Sequence, residues 1–177
     1  MPDLPVDLRP SQLWKKLSPD RKSMAAEAFW RDEDAIAEQA DAIALIAHRI
    51  KFRLKSVHAM PLEKKTRQLV SHPAVSEVVA ARLLVSYHLA HQRPMMGRFL
   101  DALGIKHEEG LIADEELTPP SADALRSAAQ SLAESFPAED VTLYFFTLLW
   151  QDPDTWQGLS DLPQVRAESQ ATPPHSV

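Results

Sequence analysis

The chain has no cysteine, only four glycines in 177 residues, and no GxSxG, phosphate-binding loop, GxGxxG or HExxH motif. Without cysteine there is no disulfide framework, thiolate metal site or cysteine nucleophile. Without those motifs the direct routes to a hydrolase, an NTPase, a dinucleotide enzyme or a zinc protease are missing. Apolar runs are short as well: the longest, VTLYFFTLLW at 141–150, is half of the roughly 20 residues that a bilayer-spanning helix requires. The opening MPDLPVDLRP lacks the cationic start and apolar stretch of a secretory signal. These absences predict a soluble, cytoplasmic protein with no cofactor and no membrane partner, and they favour a non-enzymatic role over an enzyme with dispersed catalytic residues.

What is present is helix composition. Glycine is scarce, no Asn-Gly or Asp-Gly hairpin signal occurs, and the segments between prolines are rich in Ala, Leu, Glu, Lys and Gln. Proline with serine or an acid recurs at Ser18-Pro19-Asp20, Pro61-Leu62-Glu63, His72-Pro73, Ser121 to Asp123 and Pro137 to Asp140, where first helical turns accept them. The pattern predicts helices near 11–17, 19–31, 33–57, 61–71, 73–91, 94–103, 121–135 and 137–151, with a short one after Pro153. The fold class is all-α, a single compact multi-helix domain of roughly eight helices over 11–162. Residues 1–10 and 163–177 read as mobile tails, and GLIADEELTPP at 110–120 as an acidic connection. VTLYFFTLLW, apolar all round, reads as a central helix.

Charge is unevenly placed in a chain of net −6. Residues 48–98 carry ten cations against two acids, and 99–177 carry three against fourteen; His48–Arg67 alone holds seven of the nineteen Lys and Arg. Such asymmetry points to a charged partner or to internal complementation. In a continuous helix 33–57, Ile36, Ile43, Ile46, Ile50, Leu54 and Val57 share one face, flanked by Arg49 and Arg53 on one border and Lys51 and Lys55 on the other. Cations that border an apolar stripe are expected to cover its edges, so the basic section is expected to complement the acidic final section internally.

Three functional readings follow. In the first, an adaptor or assembly domain contacts a protein partner, a second copy of itself included. Leu45 and Phe52, a heptad apart and nearly opposite the stripe, and Met95 and Met96 supply the apolar contacts. In the second, Lys51, Lys55, Lys64, Lys65 and Arg67 neutralise nucleic-acid phosphates while Phe52 stacks on a base. In the third, the chain is an enzyme or ligand-binding protein whose pocket gathers Arg82, His88 and His91. Arg82 falls in the apolar sector of Val75, Val78, Val79, Val85 and Leu89, and there it needs either a buried carboxylate or a ligand anion. The histidines lack the third ligand of a zinc site, and His107-Glu108-Glu109 is the nearest other cluster. QDPDTWQG at 151–158 fails as a calcium loop and fits Asp152 as a helix N-cap. HQRPMMGRFLDALG places apolar residues where a DNA-reading helix needs polar ones, so Phe99 and Leu103 read as core.

Overall fold

Residues 9–170 are described in the computed structural model. The fold is all-α, with eleven α-helices among the described residues where about eight were expected. These residues group into two compact units, Arg9–Ala90 and the part from His91 onward.

In the N-terminal unit, α1 (Pro10–Lys16) and α2 (Pro19–Arg31) both open on proline, whose missing N–H leaves no helical bond unmade. After a 3-10 turn at Glu33–Ala35 come α3 (Ile36–Ile50), α4 (Leu54–His58), α5 (Leu62–Val70) and α6 (Glu77–His91). α2 packs against α5, and Ala25, Ala26, Phe29, Thr66 and Leu69 on the two helices are buried. α6 starts four residues later than Pro73 suggests: Ser76 Oγ accepts the Val79 N–H at 3.3 Å and so caps the helix. Glu77 then accepts from both the backbone N–H and the hydroxyl of Ser11, tying α1 to α6.

The predicted helix 33–57 is two helices. α3 stops at Ile50, Lys51 turns into the left-handed region (φ 60°), and the Phe52 N–H reaches back to the Ala47 carbonyl at 3.1 Å. This is a Schellman ending in which lysine takes the place that glycine usually occupies. The break redirects the chain so that Val57 is fully buried and Leu54 is exposed. A continuous helix would have put both on the core stripe.

The C-terminal unit contains α7 (Arg93–Ala102), a hairpin of β1 (His107–Glu108) and β2 (Leu111–Ile112), α8 (Ala122–Ala133), α9 (Ala138–Gln151), α10 (Pro153–Trp156) and α11 (Pro163–Gln170). α9 carries the run VTLYFFTLLW and is buried at nearly every position from Asp140 to Leu149. It packs against α8, α10 and α11. Phe99 of α7 joins it, with ring centroids 5.6 Å from Tyr144, 5.2 Å from Phe145 and 5.9 Å from Trp156, distances at which aromatic pairs attract beyond their area burial. Asp152 caps α10 by accepting the Thr155 N–H at 3.2 Å, as its position before Pro153 implied. The expected tail from 163 is corrected in part: Pro163–Gln170 is helical and Val165 is fully buried. The tail expectations for 1–8 and 171–177 lie outside the described residues.

The acidic connection is also more ordered than expected. His107 pairs with Ile112 and Glu108 with Leu111, and Glu109 and Gly110 both have positive φ (49° and 85°). Positive φ at both central positions is the type I′ hairpin turn. A Glu-Gly pair is not the Asn-Gly or Asp-Gly pair that marks such turns, so no local signal announces this hairpin. The hairpin packs on α7, where a Cβ on Gly110 would lie 2.8 Å from Met96 Cβ and 3.0 Å from the Arg93 carbonyl oxygen. Gly104 also has positive φ (69°) but open space around it. We therefore expect Gly104→Ala to cost about 1 kcal/mol and Gly110→Ala about 2–3 kcal/mol, the excess reporting the packing clash. Equilibrium denaturant unfolding of the two variants checks the difference.

Candidate functional site

The break after α3 generates the most unusual surface in the N-terminal unit. Lys51, Phe52, Arg53, Leu54 and Lys55 are five consecutive exposed residues, with Phe52 54% and Leu54 58% accessible. The local cause is the helix ending itself. A Schellman turn usually packs the residue after the left-handed one against the helical residue whose carbonyl accepts its N–H; that residue is Ala47, whose methyl is too small to cover a phenyl ring. Arg53 then adopts an extended conformation (φ −74°, ψ 148°) before α4 begins. Among the described residues none of Lys51, Arg53 and Lys55 is ion-paired. Two apolar side chains therefore stand among three free cations.

Other residues singled out in the sequence fall elsewhere. Leu45 is half-buried within α3, and the break removes the shared helical face that linked it to Phe52. Met95 and Met96 are buried, at 0% and 7% accessible, with Met96 under the hairpin turn. They are core side chains and offer no partner contact. The five candidate phosphate contacts are not one set either. Lys51, Lys55 and Lys64 are exposed, Lys65 is half-buried with its Nζ 5.0 Å from the Trp30 ring centroid, and Arg67 pairs with Glu63 one turn earlier at 2.8 Å. Lys65 is held by a cation–π contact. Arg49, expected to cover the core stripe and meet acids of the final section, instead hydrogen-bonds Ser71 Oγ at 3.2 Å. Among the described residues of the N-terminal unit, the ion pair made by the cations of 48–67 is Arg67 with Glu63, inside α5.

Arg82 resolves to the ion-pair alternative. Its Nη2 donates to Asp32 Oδ2 at 2.7 Å, and Ser86 Oγ, one turn on, donates to the same oxygen at 2.7 Å. The Asp34 N–H occupies Oδ1 at 3.0 Å. Burial alone would raise the Asp32 pKa, but the hydrogen bonds from Ser86, Asp34 and Arg82, with the Arg82 charge, outweigh it and hold the carboxyl below its ordinary 3.8. Asp32 thus answers the guanidinium charge through Nη2, while the buried Nε has no hydrogen-bond partner among the described residues.

His88 is buried and His91 exposed, and among the described residues no group of three His, Asp or Glu side chains could hold a metal ion. His107 has a different task from the ligand role considered for it. Its Nδ1 accepts the Gly110 N–H at 3.1 Å, which puts the proton of the neutral ring on Nε2, facing Asp101 Oδ1 at 2.9 Å. Both ring nitrogens are thus occupied in holding the hairpin to α7. A shallow cleft of about 500 Å³ is lined by Arg93, Gly97, Arg98, Asp101, His107 and Glu109. In it Arg93 pairs with Glu109 at 3.9 Å and Asp101 faces the His107 ring at 2.9 Å. Among the described residues no helix is long and apolar enough to cross a membrane.

Sequence reasoning missed Leu54 and Arg53 as surface features because both were assigned to a continuous helix. The signal that could have exposed them was the absence of any carboxylate between Asp41 and Glu63, which leaves the cations of that segment without local partners. No family model, curated protein or solved structure matches the chain.

The Asp32 cluster yields a prediction with a definite sign. A carboxyl whose folded pKa lies below 3.8 adds stability that is fully present above that value and is lost as pH falls through the folded pKa. Asp32→Asn should lower stability at neutral pH by about 1–3 kcal/mol. The gap between the two proteins should close as the pH is lowered below about 4. Denaturant midpoints measured from neutral to acid pH check both parts.

Proposed function

We propose that the chain is a non-catalytic interaction domain, an adaptor or assembly component, which docks a protein partner on the surface formed by Lys51 to Lys55. The observation that carries this reading is the exposure of Phe52 and Leu54 between three unpaired cations. Covering a phenyl ring and an isobutyl group is worth about 1.5–3 kcal/mol each, and these side chains are held outward by a turn that fixes the backbone on both sides. The matching surface is apolar with acidic neighbours. The cations set orientation and rate of encounter more than affinity.

The same surface also suits a stacked base among phosphates, and Phe52 between Lys51 and Arg53 favours that second reading. Protein is preferred for two reasons. Leu54 has no π-face to stack, and Lys65 and Arg67 are engaged within the N-terminal unit, which leaves few cations for the multiple phosphate contacts that nucleic-acid affinity depends on. A net charge of −6 also opposes the approach of a polyanion.

A photo-crosslinking benzophenone amino acid at Leu54, introduced in the native cells, separates the readings. The expected product is a nuclease-resistant protein adduct that disappears when Arg53→Glu and Lys55→Glu are added. A nuclease-sensitive adduct would transfer the function to nucleic-acid binding, and no adduct at all would remove the docking surface.

A further inference from the structure

We infer that the partner of this surface is a second copy of the chain, which presents the acidic hairpin segment 108–116. This inference rests on the docking reading above and adds the identity of the occupant. Leu111 is 44% accessible, and Glu108, Glu109, Asp114, Glu115 and Glu116 around it are all exposed. Among the described residues, Glu108, Asp114, Glu115 and Glu116 make no ion pair. The segment is an apolar side chain in an anionic surround, the chemical inverse of Phe52 and Leu54 among Lys51, Arg53 and Lys55.

Both surfaces are held in place before they meet anything. The hairpin turn is fixed to α7 by the Gly110 N–H to His107 bond and by the His107 to Asp101 contact. The basic surface is fixed by the Ala47 carbonyl, which accepts from the N–H groups of both Lys51 and Phe52. Binding surfaces that are already ordered lose less entropy on association. Among the described residues of its own unit, neither Lys51, Arg53 and Lys55 nor Glu108, Asp114, Glu115 and Glu116 make an ion pair, and complementation in trans would satisfy both sets. Exposed ion pairs each contribute little, and the apolar contact of Leu111 with Phe52 and Leu54 is small. The association is therefore weak and strongly weakened by salt. Because the two faces differ, every copy carries one of each.

Charge reversal tests the pairing, using Arg53→Glu with Lys55→Glu as the basic-face variant and Glu115→Lys with Glu116→Lys as the acidic-face variant. Lys51 is left unchanged because its left-handed backbone would confound the result. Sedimentation velocity over a range of concentrations at low salt should show wild-type self-association that declines with added salt. Each variant alone should lose it by about tenfold or more, with its circular dichroism and melting temperature unchanged. Mixing the two variants should restore association, because reversed basic faces then meet reversed acidic ones. A wild-type chain that stays monomeric throughout overturns the second copy as occupant and leaves the crosslinking result to judge the docking surface by itself. Self-association lost in the basic-face variant but retained in the acidic-face variant overturns the hairpin as the partner segment. Failure of the mixture to associate overturns direct pairing of the two faces.

Discussion

One carboxylate organises the N-terminal unit. Asp32 sits where α2 ends, and its side chain accepts from Arg82 and Ser86 on α6 and from the Asp34 N–H at the start of the turn into α3. Its backbone carbonyl accepts from Gln39 Nε2 at 2.9 Å, which also reaches the Phe29 carbonyl at 2.7 Å. A half-buried guanidinium cannot stay charged in an apolar sector without such a partner, so the identity of α6 as a core helix depends on Asp32. The geometry is costly to break and narrow in its tolerance. It ties the end of α2 and the turn into α3 to α6.

The C-terminal unit relies on a different constraint, the burial of α9 on all sides. A helix with apolar residues at every angle has no solvent face and must be surrounded; α8, α10 and α11 pack on it, and Phe99 brings α7 onto its aromatic residues. The hairpin is then seated on α7 through Gly110, at a place where a methyl group would collide. Polar chemistry in this unit goes into holding the hairpin. His107, which by residue type could be a base or a metal ligand, has both nitrogens engaged in that task. The interaction reading draws instead on the exposure of Phe52, Leu54 and Leu111.

The all-α class, the proline-marked starts of α2 and α9 and the central place of α9 were legible in the sequence, because they rest on local signals. Proline cannot donate a backbone hydrogen bond, Asp152 can cap only the helix that follows it, and a run such as VTLYFFTLLW has no polar side to expose. Arg82 was also legible as an ion pair in waiting, since its sector was apolar and its charge had to be answered. The charge asymmetry of the segment from His48 to Arg67 was plain as well.

Tertiary structure decided the rest. The end of α3 at Lys51 has no glycine or proline to announce it; a lysine enters the left-handed region there, at a cost of order 1 kcal/mol, in an arrangement that buries Val57. Which carboxylate answers Arg82 is separated from it by fifty residues, a distance across which periodicity carries no information. Met95 and Met96 went into the core because the hairpin covers α7, and that hairpin depends on positive φ at a glutamate, which composition does not signal. The sequence by itself determined which segments would be helices and which residues needed a partner. Only the packed chain determined which of those needs were met inside and which, at Lys51 to Lys55, were left facing outward, because pairing across long sequence distances is set by the packing of helices and not by any local pattern.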